Sequence, residues 1–278
     1  MGARRPAAHS PAAYIALYTR SDPTTLAEFW VGDFWGPYYQ QSVYWYMGVV
    51  YLFFALLAGS RALGYRIRAH TDDRRRPGFM AFFLFWGITA LGYLLINLRY
   101  PIDSWVQPGY LLVFQPLRVP MYVGYFLMGI HAHRRGWFTA EGYRPRASVW
   151  WPLWGAAASL YLFLRVLVAV FEIGTPPIVH VAHAWLFSLL ALTTVIGGAV
   201  LSQKAWAGGG RFMTSQSRNA YGIYFTHPLV LYPLAMVLAD LPVSIFIKAP
   251  VLIVLTMALC WLLTEYVLRR APLLRRVF

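Results

Sequence analysis

Charge is scarce in this sequence. Only 12% of the 278 residues are charged, and acids are the rarer half, ten Asp and Glu against 24 Lys and Arg. Soluble domains carry roughly 25% charged residues, so a water-facing surface of ordinary composition is excluded. Cysteine is almost absent. Cys260 stands alone inside an apolar run, which rules out an internal disulfide and reads as a small core hydrophobe. Lysine is confined to Lys204 and Lys248. A signal peptide is not expected, because the apolar stretch AAYIALY near the N-terminus is too short for an h-region with a cleavage site. No internal repeat and no soluble domain is legible.

What is present is apolar. The chain is 59% hydrophobic and 18% aromatic, too much to hide in one globular core of this length, so much of the surface must face lipid. The net charge of +14 is of a kind that attracts nucleic acid. The arginines, however, sit in short clusters between long apolar runs, which is how topology is encoded in membranes. Membrane lipid is therefore an expected partner and nucleic acid is not.

A span needs roughly 20 apolar residues. Seven stretches qualify, near Val43–Gly59, Phe79–Leu98, Tyr110–Ile130, Val149–Phe171, Ile178–Leu201, Ala220–Ala239 and Val243–Leu268. Arginine clusters at Arg61–Arg76, Arg134–Arg146, Lys204–Arg218 and Arg269–Arg276 alternate with loops holding little beyond Arg99, Asp103, Glu172 and Asp240. The positive-inside bias makes the clusters cytoplasmic. The expected fold is all-α, a polytopic bundle of about seven transmembrane helices with the N-terminus outside and the C-terminus cytoplasmic. Such a chain is a multi-pass protein of the inner (plasma) membrane. Residues 1–42 are expected to form an extracytoplasmic segment and 43–278 the transmembrane domain.

The stretch NAYGIYFTHPLVLYPL, Asn219–Leu234, sets His227 directly against Pro228 in an apolar run. On a helix Tyr221, Tyr224 and His227 are three apart and share a face. Pro228 cannot donate to the Tyr224 carbonyl, which leaves an acceptor in need of a partner. A histidine there can bind or relay a proton; it can also simply hold two helices together. The expectation is a kink whose inner face lines a polar cavity, with His227 roughly 10–12 Å along its helix.

Arg165 sits inside another apolar run, with Glu172 two turns later on the same face, too far for an easy direct pair. Arg99, Arg118 and Arg165 all fall toward the outer half of their helices. A cluster of arginine forks there suits an anionic or polyhydroxylated ligand, while snorkelling to lipid phosphates is the alternative. His180 and His183 have a spacing that can ligate metal, but no carboxylate pair or cysteine completes a site and none is expected. His131 and His133, beside an arginine pair, read as interfacial. Glu265 and Arg269 read as a structural (i, i+4) pair. AGGGR at Ala207–Arg211 lacks the ending of a phosphate loop and reads as a linker.

Three stretches together resemble the integral-membrane acyltransferase family 3, which includes polysaccharide O-acetylases and glucan succinyltransferases. SVYWYMGVVYLFFALLAG is similar to the family's aromatic helix opening, here Tyr44-Trp45-Tyr46-Met47. RVPMYVGYFLMGIHAHRRGWF resembles a Phe-x-x-Gly helix ending in an arginine pair and Gly-Trp, here Phe126, Gly129, Arg134, Arg135, Gly136 and Trp137. RNAYGIYFTHPLVL is similar to the Tyr-Gly-Ile-Tyr-x-x-His-Pro stretch near the family's C-terminus. Their order along the chain strengthens all three, and they cover Phe34 to the C-terminus.

The resemblance implies transfer of an acetyl- or succinyl-type group from a cytoplasmic acyl-CoA to an extracytoplasmic glycan hydroxyl. Taken with the intramembrane charges, it leads to expected catalytic roles for His227 and Tyr224 of the motif and for Arg165, and to expected substrate binding by Tyr221 and Trp45 of the motifs and by Arg118, Arg99 and Glu172. The cytoplasmic arginines then either set topology or dock the phosphates of coenzyme A. One departure stands out. The family carries an arginine and a histidine separated by ten residues in its N-terminal helices, and no histidine here has an arginine eleven positions earlier. The chain thus resembles the last seven of about ten spans, with the others expected on another chain, lost, or dispensed with in a degenerate relative. The rival class is a non-catalytic seven-helix receptor, transporter or partner subunit. Lys248 precedes Pro250 at the start of its helix, which disfavours a retinal Schiff base, and paired broken helices of the transporter kind are not found.

Overall fold

The computed structural model describes residues 26–28, 44–65, 77–108, 112–137, 142–171, 176–205, 210–272 and 274. Among these residues, after a short turn of helix at Leu26–Glu28, come seven helices: α1 Trp45–Ala62, α2 Phe79–Asn97, α3 Val119–Arg134, α4 Ala147–Val170, α5 Pro177–Ala205, α6 Arg211–Ala239 and α7 Ile245–Leu263. A 3-10 turn, Pro116–Arg118, leads into α3, and a π-helical turn, Thr264–Leu268, continues α7. No strand occurs among the described residues. One bridge, Val106 to Phe114, closes the approach to α3.

Among the described residues six helices are long and apolar enough to cross a membrane: α1, α2, α4, α5, α6 and α7 with its π turn. The seventh expected span is α3, and it begins later than Tyr110. Pro116 explains the shift, since the residue before a proline is driven to extended backbone and Gln115 lies at φ −94°, ψ 117°. Pro120 then sits in the first turn of α3, where its missing N–H costs nothing. Sixteen residues of α-helix make about 24 Å, and the 3-10 turn adds about 6 Å, close to the hydrocarbon thickness.

The chain divides into two compact units: Met1–Val50, Gln107–Val113 and Gly209–Phe278 form one, and Tyr51–Val106 with Phe114–Gly208 the other. In the first, α6 packs along α7. In the second, α5 lies between α2 and α4, and α3 packs on α2. Between helices in lipid, close approach and dispersion replace the hydrophobic effect. Small residues accordingly mark the contacts: Ala90, Ala157 and Ala184 are fully buried. The buried hydroxyls of Thr89 and Thr193 donate to the preceding turn, to Phe85 O (2.9 Å) and Leu189 O (2.8 Å).

At one end of the second unit, Phe82, Trp137 and Trp150 meet edge to face, with ring centroids 5.1 and 5.9 Å from Phe82. The turn that delivers Trp137 is a Schellman motif. Gly136 has φ +62°, its N–H reaches His133 O at 3.2 Å, and Trp137 N–H reaches Ala132 O at 3.0 Å. The Gly-Trp of the RRGW sequence is thereby explained as a helix stop and its hydrophobic anchor. Gly136→Ala is expected to cost about 1–2 kcal/mol, read as a lowered thermal unfolding temperature in detergent.

Candidate functional site

The helix α6 runs unbroken through Pro228 and Pro233. Pro228 leaves the Tyr224 carbonyl without its ladder N–H, and the partner is the neighbouring side chain: His227 Nδ1 lies 2.6 Å from Tyr224 O. A carbonyl oxygen only accepts, so Nδ1 carries the proton and Nε2 of the neutral ring is left with its lone pair free to accept. The next carbonyl, Phe225 O, takes a hydrogen bond from the Tyr44 hydroxyl at 2.7 Å. The Tyr224 ring lies 5.6 Å from His227 and 6.4 Å from Tyr46. His227 and Tyr224 are half-buried, Trp45 is half-buried at the start of α1, and Tyr221 is exposed. Replacing Pro228 by alanine restores an N–H to the Tyr224 carbonyl and releases the imidazole. The ring 15N shifts are then expected to change from a pure Nδ1–H pattern to a mixed one.

The position of His227 along its helix differs from the sequence expectation. Because α6 starts at Arg211 rather than near Ala220, sixteen residues or about 24 Å separate the helix start from His227. The added turns are polar, and contacts with α7 hold them helical. Trp261 Nε1 donates to Ser215 Oγ (2.9 Å), and fully buried Asn219 donates to Glu265 Oε2 (2.8 Å). Glu265 also pairs with Arg218 at 2.6 Å and with Arg269 at 3.0 Å. The expected Glu265–Arg269 pair is thus one arm of a clasp between the two helices, placed on the π turn.

The second unit carries a separate polar cluster, at the end where α2 and α4 finish and α3 and α5 begin. Four helical segments each place a pair of polar residues there, three or four apart: Tyr93 and Asn97, Arg118 and Tyr122, Tyr161 and Arg165, His180 and His183. His183 is the hub and is 5% exposed. Its Nε2 is 3.3 Å from the Tyr161 hydroxyl, and its ring meets Tyr93, Tyr161 and Phe187 at centroid distances of 5.5–5.8 Å. The Arg118 guanidinium covers the other ring of that stack, 5.3 Å from the Phe187 centroid. Arg165, Asp103, His180 and Arg118 all lie within electrostatic reach of His183.

The sequence-predicted residues therefore fall into two groups. His227, Tyr224, Tyr221 and Trp45 belong to the first unit, and Arg165 and Arg118 to the second. Arg99 is exposed in the turn after α2, and Glu172 lies outside the described residues. Among the described residues no group of three His, Cys, Asp or Glu side chains is placed to hold a metal ion. The roles of Tyr44, Asn219 and the Tyr93–Tyr161–His183 set were not read from the sequence. The one available signal was a polar pair at helical spacing near the same end of four consecutive segments.

Three cavities of the second unit are apolar. The largest of the three, about 860 Å³, is a groove along α2 and α3 lined by Gly92, Gly124, His131 and Arg135 among others. None of the three is lined by His227.

No curated protein and no solved structure matches the sequence closely enough to be called similar. A family model described as an acyltransferase domain matches residues 10–265, beginning upstream of Phe34, where the motif resemblance starts. That span takes in the aromatic opening of α1, the RRGW stop of α3 and the His227–Pro228 step of α6, and with six apolar membrane-length helices it means that the chain belongs to the integral-membrane acyltransferase family 3 and is a membrane acyltransferase.

Proposed function

We propose that this acyltransferase takes its acyl group, of acetyl or succinyl type, from acyl-CoA on the cytoplasmic side and delivers it to a glycan hydroxyl outside the inner membrane. In that transfer the hydroxyl oxygen bonds to the thioester carbonyl carbon and the carbon–sulfur bond breaks. The hydroxyl proton ends on the sulfur of coenzyme A. His227 and Tyr224 serve the donor side, and Arg118 and Arg165 the acceptor side. The observation that carries the reading is the His227 ring, anchored by Nδ1–H on the Tyr224 carbonyl with Nε2 left as a base. An ionisable group in a membrane helix is costly without such a use.

Deleting the gene tests this reading. Surface glycans of the deletion strain are expected to lose an O-linked ester that returns with the intact gene. Unchanged ester content across the surface glycans contradicts it.

A further inference from the structure

The polar cluster around His183 has an imbalance that its own side chains do not correct. Asn97 Nδ2 and His183 Nδ1 are buried without a hydrogen-bond partner among the described residues, as is His180 Nδ1. Their residues stand 9% and 5% exposed for Asn97 and His183. An amide nitrogen donates only, and so do the guanidinium groups of Arg118 and Arg165. If Tyr161 O–H donates to His183 Nε2, then Nδ1 carries a proton and is a further donor. Two guanidinium charges face the histidine against the single carboxylate of Asp103. Buried donors left without an acceptor are costly. These buried nitrogens are thus without partners, and positive charge outnumbers negative around them.

We propose that this end of the second unit is an oxyanion site, which binds a carboxylate or phosphate group through Arg118, Arg165, Asn97 and His183 Nδ1–H. It rests on the transfer reading for its meaning, since it makes the acceptor an acidic glycan recognised by its carboxylate. A lipid phosphate offers the same chemistry.

The test uses the full chain in phosphatidylcholine nanodiscs, with no thioester present, and measures equilibrium binding of methyl glucuronide and methyl glucoside. The glucuronide is expected to bind at least about tenfold more tightly, because only it completes charge-assisted bonds to the arginines. Arg165→Gln, at an exposed position that does not threaten folding, is expected to remove about that advantage, and Arg118→Gln likewise. Nanodiscs containing phosphatidylglycerol separate the two sources. Weakened glucuronide binding in the wild type, with no such effect in Arg165→Gln, assigns the site to lipid phosphate as well. Equal affinity for the two glycosides, or unchanged glucuronide binding in both arginine variants, overturns the proposal. A chain that binds glucuronide selectively yet transfers no acyl group keeps this site and loses the transfer reading.

Discussion

Replacing His227 by alanine is expected to lower acyl transfer by about 10²–10⁴-fold, the usual worth of a positioned acid–base group. The alanine variant also takes the imidazole N–H away from the Tyr224 carbonyl, and weaker pairing of an acceptor in a membrane helix is destabilising in its own right. His227→Gln separates the two effects. Its amide N–H2 can still reach back to the Tyr224 carbonyl, but it has no titratable nitrogen. Both variants should lose transfer, while the glutamine protein keeps the wild-type unfolding temperature more nearly than the alanine protein. A glutamine variant with full activity would reduce His227 to a cap.

The second large effect is expected at Gly222. A methyl group there would run into Thr264, with the hydroxyl 2.7 Å and the Thr264 Cβ 3.0 Å from the added carbon. Thr264 is fully buried on the π turn, its hydroxyl already committed to Cys260 O at 2.8 Å, so it cannot rotate away without loss. Gly222→Ala should therefore push α6 off α7, with an overpacking cost of about 1–3 kcal/mol. The same displacement would loosen the clasp of Arg218 and Asn219 on Glu265, one turn away. Thermal unfolding in detergent measures it, and Thr264→Ala in the same chain should return part of the loss. Additive destabilisation by the two substitutions would mean that the glycine is not there for close packing.

Much of this architecture was legible from hydropathy. The spans expected at Phe79–Leu98, Val149–Phe171 and Ile178–Leu201 match α2, α4 and α5 to within a few residues at most of their ends. Hydropathy failed where another force set the boundary. The sterics of Pro116 delay α3, and α6 extends back to Arg211 through polar turns that tertiary hydrogen bonds to Ser215 and Asn219 keep helical. In the site, the sequence exposed the orphaned Tyr224 carbonyl, because proline chemistry is local. It could not name the partner, since whether His227 folds back on its own helix or reaches across is a rotamer choice. Likewise Arg118 and Arg165 stood out as charges in apolar runs. His183 stood out only for its spacing from His180, and Tyr93 and Tyr161 not at all, because such residues are common in membrane helices and only packing brings these three together.

Transfer across a sealed bilayer tests the central claim most directly. The full chain is reconstituted into vesicles, with radiolabelled acetyl-CoA on one face and a membrane-impermeant acidic oligosaccharide on the other. The account predicts labelled ester in the oligosaccharide, absent from vesicles without protein and from those carrying His227→Gln. Label confined to the thioester with the wild-type chain, or ester formed only when donor and acceptor share a face, would contradict it.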